Sequence, residues 1–216
     1  MSGRLDVIKS LIEPADVIAD VGCDHAKIAA YCVEIGAAQK VIASDISEKC
    51  LQKAKLLLAD AKNVACICCD GLAYDCDEAV IAGMGGLLIS NILRSAKSLP
   101  KTVIACPHRD EDSVRRTLIE LGYGITDDVP IAERGKYYSV IRARLGAVTE
   151  EASELQIMFG MNVARPAEAL REKLKKLYAA YAHAPQRNAD RIKAVTAAMR
   201  LQGMDLDELY NDITHI

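Results

Sequence analysis

Five short apolar runs, VIADV, KVIASDI, VACICCD, EAVIAG and TVIAC, recur along the first half of the chain, and stretches of helical spacing separate most of them. Strands separated in this way return by crossovers, so they lie parallel in a sheet covered by helices on both faces. No other feature of the sequence restricts the fold as much. The helical stretches carry their own punctuation. Leu5, Ile8, Leu11 and Ile12 share a face before Pro14, and AKIAAYCVEIG stops at Gly36. SEKCLQKAKLLLADA begins at Ser47, a suitable N-cap, and GLLISNILRSAKS reads as a further helix. DEDSVRRTLIELG has acids in its first turn and glycine at its end.

After Gly122 the pattern changes. YGITDDVPIAE and YYSVIRARL are joined through RGK with no helix between them, which predicts an antiparallel hairpin closing the sheet edge. The expected fold is α/β, a Rossmann-like doubly wound, mostly parallel sheet over residues 1–148. Residues 149–216 read as a helical extension. RPAEALREKLKKLYAAYAHAP puts Leu170, Leu174, Leu177 and Tyr181 on one face, with Pro166 in the first turn and Pro185 as breaker. RNADRIKAVTAAMRLQG offers Ile192, Val195 and Met199 as a second stripe, giving an antiparallel helical hairpin, and DLDELYNDI a short final helix.

At 216 residues and 51% hydrophobic content the chain can bury a full core, filled by aliphatic side chains since it has one Phe and no Trp. The net charge of −3 predicts no partner by itself, but residues 165–200 carry a local balance of +6. Eight cysteines with no apolar signal core and no membrane-length run point to a cytoplasmic protein with reduced thiols. CICCD lacks the paired C-x-x-C spacing of zinc sites, so its thiols read as buried and structural, with no metal. A monomer is compatible with the sequence.

Ligands of open α/β sheets bind beyond the carboxyl ends of the strands. There the sequence places Asp20 and Gly22, then Asp45 and Ile46, then Asp70-Gly71, then AGMGG, then CPH. An acid ending the second strand suits a ribose diol, Ile46 a purine face, Asp70 an exocyclic amine, and Gly22 close approach of the backbone. DVGCDH puts Asp24 and His25 where a dinucleotide fold keeps glycines for its diphosphate. An acid there repels phosphate and tolerates a cation, so S-adenosylmethionine fits, with Asp20 or Asp24 by its ammonium. Asp24 also reads as an N-cap, Asp45 and Asp70-Gly71 as turn residues, and His25 as an ordinary surface histidine.

ADVGCDHA, DGL at 70–72, IAGMGG at 81–86 and GKYYSVIRA at 135–143 resemble the bacterial tRNA (adenine-N1)-methyltransferases of the TrmK family. The resemblance runs from about residue 4 to past residue 180. It implies a class I methyltransferase domain with a coiled-coil arm, S-adenosylmethionine as cofactor, and a D-loop adenine of tRNA as substrate. It implies cofactor contacts at Asp20, Gly22, Asp45, Asp70 and Gly71, with Ala82 and Gly83 by the methyl donor. Where the family typically reads Gln-Pro-Asn, this chain has Cys106, Pro107 and His108, a departure that concerns the target base more than the cofactor.

Methyl transfer to adenine N1 needs no strong base, and the product is cationic. Asp24 is therefore the first candidate to stabilise it, with His25 and His108 as base-edge contacts. Lys173 and Lys176, and Arg187 and Arg191, are candidate RNA contacts at helical spacing. Other readings stay open at this point: another RNA or small-molecule substrate, a non-catalytic adenosyl- or RNA-binding protein, or an NAD-dependent oxidoreductase using GMGGLL as its phosphate turn.

Overall fold

The computed structural model describes residues 3–148 and 151–205. The five apolar runs form β1 (Ala15–Val21), β2 (Ala38–Asp45), β3 (Val64–Cys68), β4 (Glu78–Ala82) and β5 (Thr102–Cys106), each parallel to its neighbours among them. The expected hairpin is β6 (Tyr123–Glu133) and β7 (Lys136–Leu145), with β7 antiparallel against β5. Sheet order is β3-β2-β1-β4-β5-β7-β6, so the strand order reverses between β1 and β4. That reversal opens the crevice in which such sheets bind ligands.

Alternation along the strands divides the core in two. Ile18, Val41, Val80 and Ile104 face α1 (Arg4–Leu11), α2 (Lys27–Glu34) and α3 (Glu48–Leu57). Their neighbours Ala19, Ile42, Ile81 and Val103 face α4 (Gly86–Arg94) and α5 (Glu111–Glu120). Ser47 caps α3 as the sequence predicts, its hydroxyl accepting from the Cys50 N–H at 3.4 Å. At the hairpin tip Arg134 and Gly135 both have positive φ, 50° and 73°. This is the geometry of a two-residue primed turn. It costs an arginine about 1–2 kcal/mol where glycine or asparagine would sit freely.

The C-terminal segment has a third core, built from Phe159, Leu170, Leu174, Val195 and Met199. The sequence predicts two of its helices, α7 (Glu168–Ala182) and α8 (Ala189–Leu201). Pro166 lies one residue before the N-cap Ala167 and thus outside α7, not in its first turn. A short helix, α6 (Glu154–Phe159), escapes prediction, because six residues are too few to show a stripe. Its local signal is the capping box of Ser153 and Gln156. The short helix expected over DLDELYNDI lies outside the described residues.

All eight cysteines are free thiols. Cys23, Cys32 and Cys106 are buried, but in the CICCD run Cys66 and Cys69 are half-buried and Cys68 is exposed. That run begins in β3, an edge strand of the sheet, whose residues are at most partly buried. Among the described residues no cluster of His, Cys, Asp or Glu is placed to hold a metal ion, and no helix is long and apolar enough to cross a membrane.

Arg115 of α5 joins the two parts of the chain. Its side chain and that of Asp128 on β6 are each only 1% exposed. Arg115 Nε and Nη2 donate to the two Asp128 oxygens at 2.7 and 3.1 Å, Nη2 also to Ser139 Oγ at 2.9 Å, and Nη1 to the Ile157 carbonyl at 3.0 Å. Asp128 in turn accepts from the Met161 N–H at 2.8 Å. Removing one member of such a pair strands the other charge in a dry interior. Arg115→Met is expected to destabilise the protein by about 3–5 kcal/mol in chemical denaturation, with part recovered by adding Asp128→Asn.

Candidate functional site

The loop after β1 closes over the end of β2. Gly22 and Cys23 both donate to the Ser44 carbonyl, at 2.8 and 3.0 Å. Gly22 has φ 71°, left-handed backbone that disfavours any side chain, and a Cβ there would also have to push the Met84 methyl aside from 2.5 Å. Asp24 and Ala26 are also left-handed, at φ 35° and 47°, although neither is glycine. Strain of this kind persists only where the surroundings enforce it, commonly at ligand sites. The N-cap of α2 is Ala26, so Asp24 does not cap the helix.

Asp20 does part of that work from the strand beneath. Its Oδ2 accepts the Ala29 N–H at 3.1 Å. Burial pushes its pKa up to about 7; the Ala29 hydrogen bond opposes this, and the charge of Asp45 adds to it. Asp45 uses one oxygen to accept from the Ser47 N–H (2.8 Å) and the other from the Asp24 N–H (3.3 Å). Its role as a turn residue is therefore real, and each oxygen keeps a lone pair for a ligand hydroxyl. The Asp24 carboxylate is 55% exposed and lies 3.4 Å from Lys53 Nζ and 3.3 Å from His25 Nε2. What little burial it has works against ionisation, but His25, Cys50 and Lys53 together hold its pKa below the usual value.

The loops after β4 and β5 are stitched together by three backbone bonds. Gly83 N–H meets the Cys106 carbonyl at 3.4 Å, His108 N–H the Met84 carbonyl at 2.9 Å, and Gly86 N–H the Arg109 carbonyl at 2.9 Å. A Cβ on Gly86 would overlap the Asp110 carbonyl, which fixes the last glycine of AGMGG. His108 is thereby held at the mouth of the crevice, its ring edge-on to Tyr138 with centroids 6.0 Å apart. Burial first, then the charges of Arg4 and Lys136, lower its pKa and favour the neutral imidazole.

Between these loops lies a cleft of about 740 Å³, within the range of small-ligand sites. It gathers Asp20, Gly22, Asp24, His25, Asp45, Ile46, Asp70, Gly71, Ala82, Gly83 and His108. Ile46 is 71% exposed, an apolar side chain waiting on the wall of a polar loop. Asp20, Asp24 and Asp45 crowd the end of α2 that a diphosphate would need. The donor set therefore fits an adenosine with a cationic tail. Arg4 also lines the cleft, although it looks in sequence like any solvent-facing helix residue. Its guanidinium lies 4.5 Å over the Tyr138 ring and 2.9 Å from Glu133.

The four cations singled out in the C-terminal segment lie outside this cleft and differ among themselves. Lys173 is turned inward, 2.8 Å from Glu111, with side-chain exposures of 18% and 13%. It tethers α7 to α5. Lys176 is exposed, donates to the Gly135 carbonyl at 3.2 Å and sits 4.9 Å over the Tyr137 ring. Arg187 is exposed in the turn before α8, so helical spacing does not relate it to Arg191, which lies 5.5 Å over Tyr181.

Residues 1–141 match the family described as a methyltransferase domain. The tRNA (adenine(22)-N(1))-methyltransferase of Bacillus subtilis is 30% identical over 173 residues, covering 76% of this chain and 73% of that protein. A Mycoplasma pneumoniae protein described as a "Putative tRNA methyltransferase" is 32% identical over 169 residues, covering 74% and 79%. A Streptococcus pneumoniae crystal structure, "a putative tRNA (m1A22) methyltransferase, in complex with S-adenosyl-L-methionine", superposes with a TM-score of 0.81 at 26% identity, over 92% of this chain and 99% of the other. With a methyltransferase domain spanning nearly two thirds of its length and a cleft suited to an adenosyl cation, the chain belongs to the TrmK family of S-adenosylmethionine-dependent tRNA (adenine-N1)-methyltransferases.

Proposed function

We propose that this chain methylates N1 of a D-loop adenine in tRNA, in the cytoplasm, and that residues 149–216 extend the catalytic domain toward the RNA. The observation that carries this reading is the convergence of all eleven catalytic and cofactor candidates on one cleft. When bound, S-adenosylmethionine supplies an already activated methyl group on a sulfonium. Asp45 holds the ribose hydroxyls, Ile46 covers a face of the adenine ring and Asp70 accepts from its amine. Gly22 admits the ligand against bare backbone, and Asp20 faces the cationic tail. Ala82 and Gly83, stitched to the next loop, would border the methyl donor.

The chain's own task at the target is alignment and charge. Adenine N1 brings a lone pair, so no residue has to remove a proton before attack. Positive charge then develops on the base, and the ionised Asp24 stabilises it. His108, kept neutral, offers a nitrogen lone pair to the base edge without opposing that charge. N1 is shielded in a base pair, so the target enters unpaired or flipped.

The direct test is transfer of labelled methyl from S-adenosylmethionine to an unmodified bacterial tRNA, followed by nucleoside mapping. The expected product is 1-methyladenosine in the D loop; label at another position, or on no RNA, would sink the assignment. Asp24→Ala is expected to lower the rate by about 10- to 100-fold. That is less than the loss of an enclosed oxyanion-hole donor, because Asp24 is half exposed. An unchanged rate would mean that its carboxylate has no such role.

Asp20 gives a pH signature. A carboxyl with a folded pKa of about 7 must lose its proton to pair with a cation. Cofactor affinity should therefore fall as pH drops below 7, by up to about tenfold per unit. The same raised pKa means that this group's contribution to stability is largest at low pH and is lost as pH rises toward 7. Asp20→Asn should flatten the affinity profile in titration calorimetry; a profile that keeps its shape assigns the proton elsewhere. His108→Asn, which restores the family's amide, should retain methyl transfer at neutral pH. At saturating cofactor it should also lose any rate decrease that follows imidazole protonation. A variant that is inactive at neutral pH would show that the ring itself is required.

A further inference from the structure

Many exposed cations of the catalytic domain are tied to acids. Lys53, Lys55, Arg94, Lys97, Lys101 and Arg116 each lie within 3.4 Å of a carboxylate oxygen. Lys27, Lys40, Lys49 and Lys62 are exposed without such a partner among the described residues, and so are two cations at the tip of the β6–β7 hairpin, two residues apart. Arg134 and Lys136 are exposed, and among the described residues neither has a carboxylate within ion-pair range. The acid next to them in sequence, Glu133, is taken up by Arg4 at 2.9 Å. Lys176 from α7 leans onto the same tip through the Gly135 carbonyl and the Tyr137 ring. Three positive side chains from two parts of the chain therefore meet at one turn.

The place of this turn is as telling as its charge. Tyr138, which packs against His108 at the cleft mouth, is two residues from Lys136. Along a strand that is roughly 7 Å between Cα atoms. Arg134 also holds left-handed backbone, where asparagine or glycine is the ordinary choice for such a turn. A bulky cation kept there against local preference points to a use for its charge. A nucleotide that inserts its base beside His108 leaves its flanking phosphates at the rim, within reach of this tip.

We propose that the hairpin tip, Arg134 and Lys136 together with Lys176 of α7, is a phosphate-binding surface that holds the tRNA backbone beside the entering base. The proposal rests on the tRNA reading above. It assigns substrate grip to the catalytic domain's own hairpin and makes Lys176 the link between that hairpin and the helical extension. The surface reads phosphates, so it contributes affinity and register without sequence preference.

The test is binding and methylation of an unmodified tRNA transcript by Arg134→Asn/Lys136→Gln. Asparagine accepts left-handed backbone, so the hairpin should fold at least as well as before. Expected are a raised Kd for tRNA and a smaller dependence of log Kd on log salt, by about 0.7–0.9 for each phosphate no longer neutralised. Measured well above the ordinary imidazole range, where His108 is neutral with or without the Lys136 charge, KM for tRNA should rise while kcat and cofactor Kd stay unchanged, and adding Lys176→Gln should take a further step of similar size. Arg94→Gln/Lys97→Gln removes the same charge from paired positions and should leave tRNA binding as it was. An unchanged Kd and salt slope in the hairpin variant would overturn the surface alone, as would an equal loss in the Arg94/Lys97 control. A wild-type protein that binds cofactor but no tRNA overturns the substrate reading and the surface with it.

Discussion

The most deeply buried ion pair at the seam between the catalytic domain and the helical extension is made by the guanidinium of Arg115. It leaves α5, which follows the loop carrying His108, and it ends in the carboxylate of Asp128 and the carbonyl of Ile157. One side chain thus fixes a helix of the sheet's flank, the first strand of the hairpin and the start of the C-terminal segment. Lys173–Glu111 repeats the device one turn away on a smaller scale, again from α5 to the extension. A purely apolar seam between these parts could slide. A guanidinium whose three nitrogens all donate to fixed acceptors resists sliding, because a shift leaves a charge unpaired in low dielectric. Downstream of this joint the extension builds a core of its own. There Gln202, fully buried, clamps the carbonyls of Val163 and Arg165 and the N–H of Ala167.

The cleft follows a different electrostatic logic. Three carboxylates face one another across the end of α2, an arrangement that would be self-repelling in a closed site. It is tolerated because each is treated separately. Asp20 is desolvated, which pushes its pKa up to about 7, Asp45 is satisfied by two backbone donors, and Asp24 is exposed between Lys53 and His25. The acids become mutually compatible once a positive ligand lies among them. Glycine-rich diphosphate loops solve the opposite problem with bare N–H groups.

Much of this was legible in the sequence, because the signals involved are local. The strand–helix alternation dictates the parallel sheet, Ser47 announces the start of α3, and each strand end delivers its residue to the crevice. What escaped reading depends on contacts between distant segments. Arg4 lies before the first strand and joins the cleft only because α1 packs under Tyr138. Lys173 reads as one more exposed lysine in a basic run until Glu111 arrives from 62 residues away. Arg187 counts as a helix neighbour of Arg191 only if the turn at Pro185 is taken to end sooner than it does. Ala26 as a left-handed N-cap runs against its own propensity, and only the closure of the β1 loop onto Ser44 explains it.

The stitching of the β4 and β5 loops bears on how such an enzyme changes over time. Residue 108 joins the seam through its backbone N–H, while its exposed side chain stands at the cleft mouth beside Tyr138. Gly86, in the same seam, cannot carry one, since any side chain collides with Asp110. Within one loop pair, therefore, one position is frozen by packing and another is open to exchange at almost no structural cost. On the proposal that residue 108 meets the target base, an exchange at this position would change what is accepted while leaving the backbone seam between the two loops intact.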